Sequence, residues 1–268
     1  EYYFDRTPVF GSVKYKKEFS DKFTMNINGY ANYYAFARQK IKYINGDSDT
    51  LKETSTNPLN TMLMGTDIDF TYATDKHNMI VGLSWQQDRA LDIHEDITYS
   101  IDPTDVLGRE DGMLEPNVSR DNIGFFAQDM YNINKVFSIT GGIRYDVLTK
   151  FDNQFNYRGA LTGMWESGLY MKLLYGTAYR VPSYREYLTT DAPNAELTPE
   201  YLKTFEGQLG YLIGKKADIN VTYYNNVYDN FIQEIVVDSI RGTDGSFTEV
   251  DDEMAFNWES RKISGLEL

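Results

Sequence analysis

Four side chains in one short stretch, Arg180, Tyr184, Arg185 and Tyr187, are of the types that hold an anion. Two guanidinium forks can pair with carboxylate or phosphate oxygens, and two phenol rings can stack on a flat ligand. The same residues can equally brace the base of a loop through ion pairs within the chain. Asp67 and Asp69 sit two apart and so share one strand face, as a carboxylate pair for acid–base work would. Two acids hydrogen-bonded to water or to a facing Arg give the same pattern. The only histidines are His77 and His94. There is no HExxH, no Ser-His-Asp order with a nucleophile elbow, and no P-loop, so the residues point away from an enzyme. Cysteine is absent, which removes disulfides and thiolate metal sites, and no cofactor or metal site is expected.

The elements that must carry these residues show a period of two. From Phe23 the odd positions read Phe23, Met25, Ile27, Gly29, Ala31, Tyr33, and the even ones Thr24, Asn26, Asn28, Tyr30, Asn32, Tyr34. The split recurs in Met79, Val81, Leu83, Trp85 against Gly82, Ser84, Gln86, Asp88, and in Phe137, Ile139, Gly141, Ile143, Tyr145, Val147 against Ser138, Thr140, Gly142, Arg144, Asp146. A helix would scatter these sets around its circumference. The strands are long, and roughly eleven are expected.

Connections alternate between short polar turns (20–22, 74–78, 134–135, 166–168, 214–216) and longer loops (42–60, 94–120, 151–156, 184–198, 238–255). Short turns on one rim and long loops on the other suit a transmembrane β-barrel with its short side periplasmic. Tyr33, Tyr34, Phe36, Tyr99, Tyr131, Tyr145, Tyr179, Tyr223, Tyr224 and Phe231 lie near strand ends, where an aromatic girdle sits. Leu173, Tyr175 and Tyr179 are expected to face lipid, with Lys172 and Arg180 on the wet side. Wet-face glycines Gly124, Gly142, Gly176 and Gly210 leave space for something inside. A soluble sandwich or lipocalin-like barrel would use the same alternation with the apolar face turned inward.

The mean hydropathy of -0.50 is that of a soluble chain. A transmembrane barrel reaches the same average, because it is apolar only at every second residue and carries polar loops. The net charge of -14 argues against nucleic-acid binding through phosphate neutralisation. Acids cluster at Glu95, Asp96, Asp102, Asp105, Glu110, Asp111 and Glu115, and again at Asp238, Asp244, Glu249, Asp251, Asp252 and Glu253. Both read as solvated loops, able to bind divalent cations. The opening EYYFDRTPVFG has no charged n-region or apolar h-region, so an exported protein needs a leader upstream of it.

Four blocks in order add a family reading: GGIRYD (141–146), YGTAYRVPSYREY (175–187), NAELTPEYLKTFEGQLGY (194–211) and ISGLEL (263–268). They resemble the barrel of TonB-dependent outer-membrane receptors. Arg180, Pro182, Ser183, Arg185 and Glu186 fall in register with a phrase like "YGRAFRAPSFREL", and Asn194, Leu197, Pro199 and Glu200 with one like "NPNLKPE". Gly265 to Leu268 occupy a late "RGVEL"-like phrase. Val181 departs from the family's Ala, and Ala195 and Glu196 from its Pro-Asn.

The resemblance implies an all-β fold: residues 1–268 as part of one antiparallel transmembrane barrel of about twenty-two strands, with an N-terminal plug and C-terminal strands outside them. It implies a multi-pass protein of the Gram-negative outer membrane that imports a ferric siderophore or cobalamin-like chelate. The TonB-ExbB-ExbD system would drive it through the plug. It also implies lipid and lipopolysaccharide as surroundings, leaves room for a lipoprotein lid, and makes plug carboxylates further partners for Arg180 and Arg185. Haem-importing members place a His between the two phrases, and none stands there, so haem is disfavoured. A passive porin or structural barrel is the alternative, and a soluble carbohydrate-binding β protein a third.

Overall fold

The computed structural model describes residues 2–45, 50–102, 105–113, 118–184, 186, 196–214, 216–241 and 247–268; within its strands the side chains at 2, 38, 40, 42–59, 92–117 and 236–253 are outside the description. Among the described residues the regular elements are fourteen strands: β1 (Tyr2–Ser20), β2 (Phe23–Asn45), β3 (Thr50–Ala73), β4 (His77–Asp102), β5 (Asp105–Met113), β6 (Val118–Asn132), β7 (Phe137–Leu148), β8 (Gln154–Met164), β9 (Leu169–Arg180), β10 (Glu200–Ile213), β11 (Ala217–Asp229), β12 (Ile232–Arg241), β13 (Phe247–Asn257) and β14 (Arg261–Glu267). Eleven of them lie on one path, β1-β2-β3-β4-β6-β7-β8-β9-β10-β11-β14. The remaining three form extensions: β5 pairs with β4, and β12 with β13 as a separate two-stranded sheet.

Those extensions correct the sequence reading. The stretches 42–60, 94–120 and 238–255 read as loops, yet they are largely strand. Glu95 pairs with Gly112 and Ile97 with Glu110, and Val236 pairs with Glu253. A hairpin with polar residues on both faces keeps its backbone ladder while losing the alternation that marks a half-buried strand. The acid clusters fall here, and their side chains lie outside the described ones, as do those of Tyr99 and His94. The supposed long loop at 151–156 is a short connection between Leu148 and Gln154.

The short turns share one local device. Ser20 Oγ accepts the Lys22 and Phe23 amides at 3.3 and 3.2 Å, Thr74 Oγ1 accepts those of Lys76 and His77 at 3.3 and 2.9 Å, and Asn134 Oδ1 accepts those of Val136 and Phe137, both at 2.8 Å. A side-chain oxygen thus replaces the carbonyl that a longer turn would need. Each of these turns delivers an aromatic ring to the apolar face. Phe23 stacks on Phe70 at 5.8 Å, His77 lies tilted against Tyr131 at 4.8 Å, and Phe137 meets Trp165 edge-on at 5.3 Å.

Two units can be distinguished. In the first (Glu1–Val13, Gly29–Thr66, Gln86–Asp121), Tyr30 donates to Gln86 Oε1 at 3.4 Å, Gln87 to Asp121 at 3.1 Å, and Arg120 to Asp88 at 2.7 Å. The second (Lys14–Asn28, Asp67–Trp85, Asn122–Leu268) carries regular antiparallel pairing from β6 to β11 and on to β14.

In the second unit, glycines sit where a neighbouring strand lays a large side chain. The Tyr170 ring lies over Gly210 and donates to Asp218 at 2.9 Å; the Tyr224 ring covers Gly265, where a Cβ would come within 2.6 Å of the hydroxyl. Gly124 faces the Arg144 guanidinium, and Gly142 and Gly176 flank the stem of Arg158. These wet-face glycines are therefore filled by the chain's own side chains, a correction to the expectation of open space. Gly210→Val drives two γ-methyls into the Tyr170 ring and breaks its bond to Asp218. We expect a loss of about 2–3 kcal/mol, read as a lower urea midpoint of the full-length protein in lipid, with Gly210→Val/Tyr170→Ala recovering part of it.

Candidate functional site

The distribution of burial decides between a membrane wall and a soluble sandwich. Ile143 is 55% exposed, Phe155 57% and Ile219 64%, while Asp146 is 0% exposed. Among the described residues the buried apolar set is small: Ala90, Tyr184, Leu197, Ile232 and Ala255. A soluble β protein of this size would bury its apolar face. Here that face is open, and the polar face is the one whose side chains are tied together by hydrogen bonds, with Asp146 buried among them.

The polar face of the second unit is a set of cross-strand rungs. Asn26 donates to Asp69 at 2.8 Å and Asn28 to Asp67 at 3.4 Å, so the paired carboxylates are each held by an amide. Thr204 donates to Asn226 at 2.9 Å, and Gln208 to Thr222 at 3.1 Å. At its centre Arg144 clamps Asp146 through Nε at 2.9 Å and Nη2 at 2.6 Å, and Nη2 also reaches Ser84 at 2.8 Å. Arg144 and Asp146 come from GGIRYD, two apart on one strand, which is why they share a face.

Tyr179 departs from its expected lipid-facing position. Asn122 of the polar face donates to its hydroxyl at 3.3 Å. Regular pairing of β8 with β9 ends at Arg158↔Gly176, and the next amide, of Tyr157, donates to Thr177 Oγ1 at 3.0 Å. Beyond its last β8 partner β9 stays in register with β10 through Tyr201↔Tyr179, and the long Tyr179 side chain at this strand end reaches the polar face. Tyr34 and Tyr224 likewise belong to the polar face; Tyr33, Tyr131, Tyr145 and Tyr223 keep the girdle parity.

The segment after β9 is built around Arg180. Ser183 and Glu186 cap each other: the Ser183 amide donates to Glu186 Oε2 at 2.7 Å, and the Glu186 amide to Ser183 Oγ at 3.2 Å. This is the capping box of an S-x-x-E sequence. It fixes the Glu186 carboxylate so that Arg180 meets it with a bidentate fork, at 2.8 and 2.9 Å. Arg180 Nε donates to Glu200 as well, and Glu200 Oε1 accepts the Ile232 amide at 2.6 Å. One guanidinium thus joins the end of β9, the start of β10 and, through Glu200, the start of β12.

Beside it, Leu197, Ile232 and Ala255 form a small buried cluster, and Tyr184 and Pro182 are buried nearby in sequence. Asn257 closes the arrangement: its Oδ1 accepts the Thr198 amide at 2.7 Å, and its Nδ2 donates to the carbonyls of Thr198 at 2.8 Å and Asn230 at 2.9 Å. Asn230 supports this with a left-handed φ of 55°, which Asn adopts more readily than most residues.

Of the four residues singled out by type, the structure places Arg180 in this ion-pair cluster and buries Tyr184, while Arg185 and Tyr187 lie outside the described residues. Sequence reasoning missed Glu186 and Glu200 as the partners of Arg180. The spacing Ser183-x-x-Glu186 was the available signal for the first; nothing local pointed to the second.

Burial pushes the Glu186 carboxyl up, but the bonds from Arg180 and Ser183 outweigh it and hold the group below its ordinary value of 4.5. A depressed folded value contributes stability that is complete above the unfolded value and vanishes as pH falls through the folded one. Proteolysis of the segment following Ser183 should therefore be flat from neutral pH down to about 4.5 and accelerate below it. Glu186→Gln should remove that acid step; an unchanged step would assign it elsewhere.

A family model described as "TonB dependent receptor-like, beta-barrel" matches residues 1–268, the whole chain. No curated protein matches. Solved structures of similar fold include the copper transporter OprC (TM-score 0.68, 15% identity, 98% of this chain against 44% of that one) and the ferric-catecholate import receptor Fiu from E. coli K12 (0.64, 12%, 99% against 44%). The RagAB peptide importer is a third (0.58, 15%, 99% against 34%). The chain spans less than half the length of these relatives. With the family matched along its full length, and the fold reproduced by its solved members, the chain belongs to the TonB-dependent receptor β-barrel family of the Gram-negative outer membrane.

Proposed function

We propose that this chain is the wall of an active importer, which takes up a scarce nutrient such as a ferric siderophore or a cobalamin-like chelate. The observation that carries the reading is the inverted wall, an open apolar face backed by a continuous polar face of amides, carboxylates and guanidiniums. A hydrophilic lining suits a plugged lumen through which a polar cargo passes. Residues 1–268 would be part of one barrel completed by further strands, with a plug domain and TonB-ExbB-ExbD coupling. Arg180 and Tyr184 would hold the base of the segment leading to Arg185 and Tyr187, whose side chains would meet ligand or plug. Lipopolysaccharide around the wall and a lipoprotein lid over it belong to the same proposal.

The similar structures carry names for copper, ferric-catecholate and peptide transport, so fold alone leaves cargo open. The test is uptake of a labelled ferric siderophore and of cyanocobalamin by cells expressing the full-length protein, with and without a protonophore. Accumulation of either above the no-protein control, abolished by the protonophore, is expected. Uptake indifferent to the protonophore, together with leakage of small sugars from liposomes, would support the passive porin instead.

A further inference from the structure

On the apolar face of the second unit, β6 runs toward the short-turn rim through Phe125, Ala127, Asp129 and Tyr131. Ala127 offers only a methyl, between Phe125 on its own strand and Ile143 across the β6–β7 ladder. The result is a hollow of about 380 Å³ walled by Phe70, Val81, Leu83, Phe125, Ile143 and Phe155. Two residues nearer the rim, about 7 Å along the strand, comes a carboxylate. Asp129 Oδ2 accepts a hydrogen bond from His77 Nδ1 at 2.7 Å, and the His77 ring lies against Tyr131 at 4.8 Å.

Asp129 stands apart from the other charged pair on this face. Lys203 and Asp229, at the opposite rim, neutralise each other at 2.8 Å. Asp129 meets an imidazole and, among the described residues, no Lys or Arg; its Oδ1 accepts no hydrogen bond. The side chains around this rim, at 14–30, 66–85 and 122–148, are all described. Because Nδ1 carries the proton given to Asp129, the neutral ring presents Nε2 as an acceptor. The pair is then a net anion beside an aromatic face. Lys76, the turn residue before His77, is exposed and joins no ion pair among the described residues. The rim therefore offers three complements: an acceptor pair for an ammonium, a lysine for an anion, and an apolar hollow for an alkyl chain. A soluble amine leaves the hollow unfilled, and a lipid without an amine leaves Asp129 unmet. A phospholipid bearing a primary ammonium satisfies all three.

We propose that Asp129, His77, Tyr131 and Lys76 hold the headgroup of an aminophospholipid of the periplasmic leaflet, with one acyl chain lying in the hollow over Ala127. The ammonium would donate to Asp129 and to His77 Nε2 and rest on the Tyr131 face, while the flexible Lys76 stem reaches the phosphate. A carboxylate at a lipid-facing position is costly in hydrocarbon, and here it is met at the depth where headgroups lie. The inference needs the membrane wall alone and is independent of what the protein imports.

The test is native mass spectrometry of the full-length protein in detergent, titrated separately with dioleoyl phosphatidylethanolamine and dioleoyl phosphatidylglycerol, which share chains and phosphate and differ in the ammonium. The first should bind at least about tenfold more tightly. Asp129→Asn should abolish that preference, and Asp129→Glu, which keeps the charge, should retain most of it. Ala127→Leu, which fills the hollow, should weaken both lipids about fivefold and leave their ratio unchanged. Unchanged heat-dependent gel mobility would report that each variant folds. Equal binding of the two lipids by the wild type, tighter binding of phosphatidylglycerol, or no binding of either would overturn the proposal. A preference that survives Asp129→Asn would also overturn it, because the ammonium would then be held elsewhere on the barrel. Wild-type affinities in Ala127→Leu would overturn the seat of the acyl chain. Energised uptake in cells is measured without these lipids as probes, so failure here leaves the import reading standing.

Discussion

Asp146→Ala should lower the stability of the folded wall by about 2–3 kcal/mol, as measured by urea unfolding of the full-length protein in lipid vesicles. Asp146 is completely buried and receives three contacts within 3.0 Å from the Arg144 fork. Removing it leaves a guanidinium facing Ser84 and the Phe126 ring, 5.8 Å away, with its hydrogen-bonded carboxylate gone and only the charge of Asp67 nearby to offset it. Breaking a buried pair by deleting one partner costs about 3–5 kcal/mol. The Arg144 side chain is 37% exposed, so solvent recovers part of that. Asp146→Asn keeps the shape and one acceptor and should cost about half as much. An unfolding midpoint indistinguishable from wild type in Asp146→Ala would mean that the clamp contributes nothing net. The site then matters for what the polar face contacts rather than for holding strands together.

Glu200→Ala should act locally. Its carboxylate is the common acceptor of Arg180 and of the buried Ile232 amide, and the residue is 8% exposed. An unsatisfied buried amide and a half-released guanidinium together cost about 2 kcal/mol, which raises the population of the open state about thirtyfold. We expect faster protease cleavage in the β12–β13 hairpin, with the global urea midpoint nearly unchanged. Arg180→Lys, which keeps charge but loses the fork, should give an intermediate rate. If hairpin cleavage stayed at the wild-type rate in Glu200→Ala, the hairpin would be held by the Asn257 bonds and the Leu197–Ile232–Ala255 cluster alone.

Much of the architecture was readable from residue order. The alternation starting at Phe23, Met79 and Phe137 located β2, β4 and β7, and the eleven-stranded path agrees with the number of alternating segments. The turns were legible because Ser20, Thr74 and Asn134 are of the few types whose side chains cap a tight reversal. The β4–β5 and β12–β13 hairpins were not legible, since their sequences mix polar and apolar residues at both parities and carry no hydrophobic period. The glycines misled for a related reason. Composition reports a missing side chain, but whether the gap stays open depends on the register that lays Tyr170 over Gly210 and Tyr224 over Gly265.

The sequence by itself determined which residues alternate, hence an all-β wall with one apolar and one polar face, and its ordered blocks pointed to the family. Only the tertiary structure decided which face is open and what each charged group meets. Alternation is the same whether the apolar side packs inward or faces lipid; the distinction is made by the exposure of Ile143 and Ile219 and the burial of Asp146. Arg180 finds Glu186 through a local cap, but it finds Glu200 only because β9 and β10 pair in the register Arg180↔Glu200. Register is a property of two strands together, set by ladder hydrogen bonds and side-chain fit across them, and neither strand's sequence states it alone.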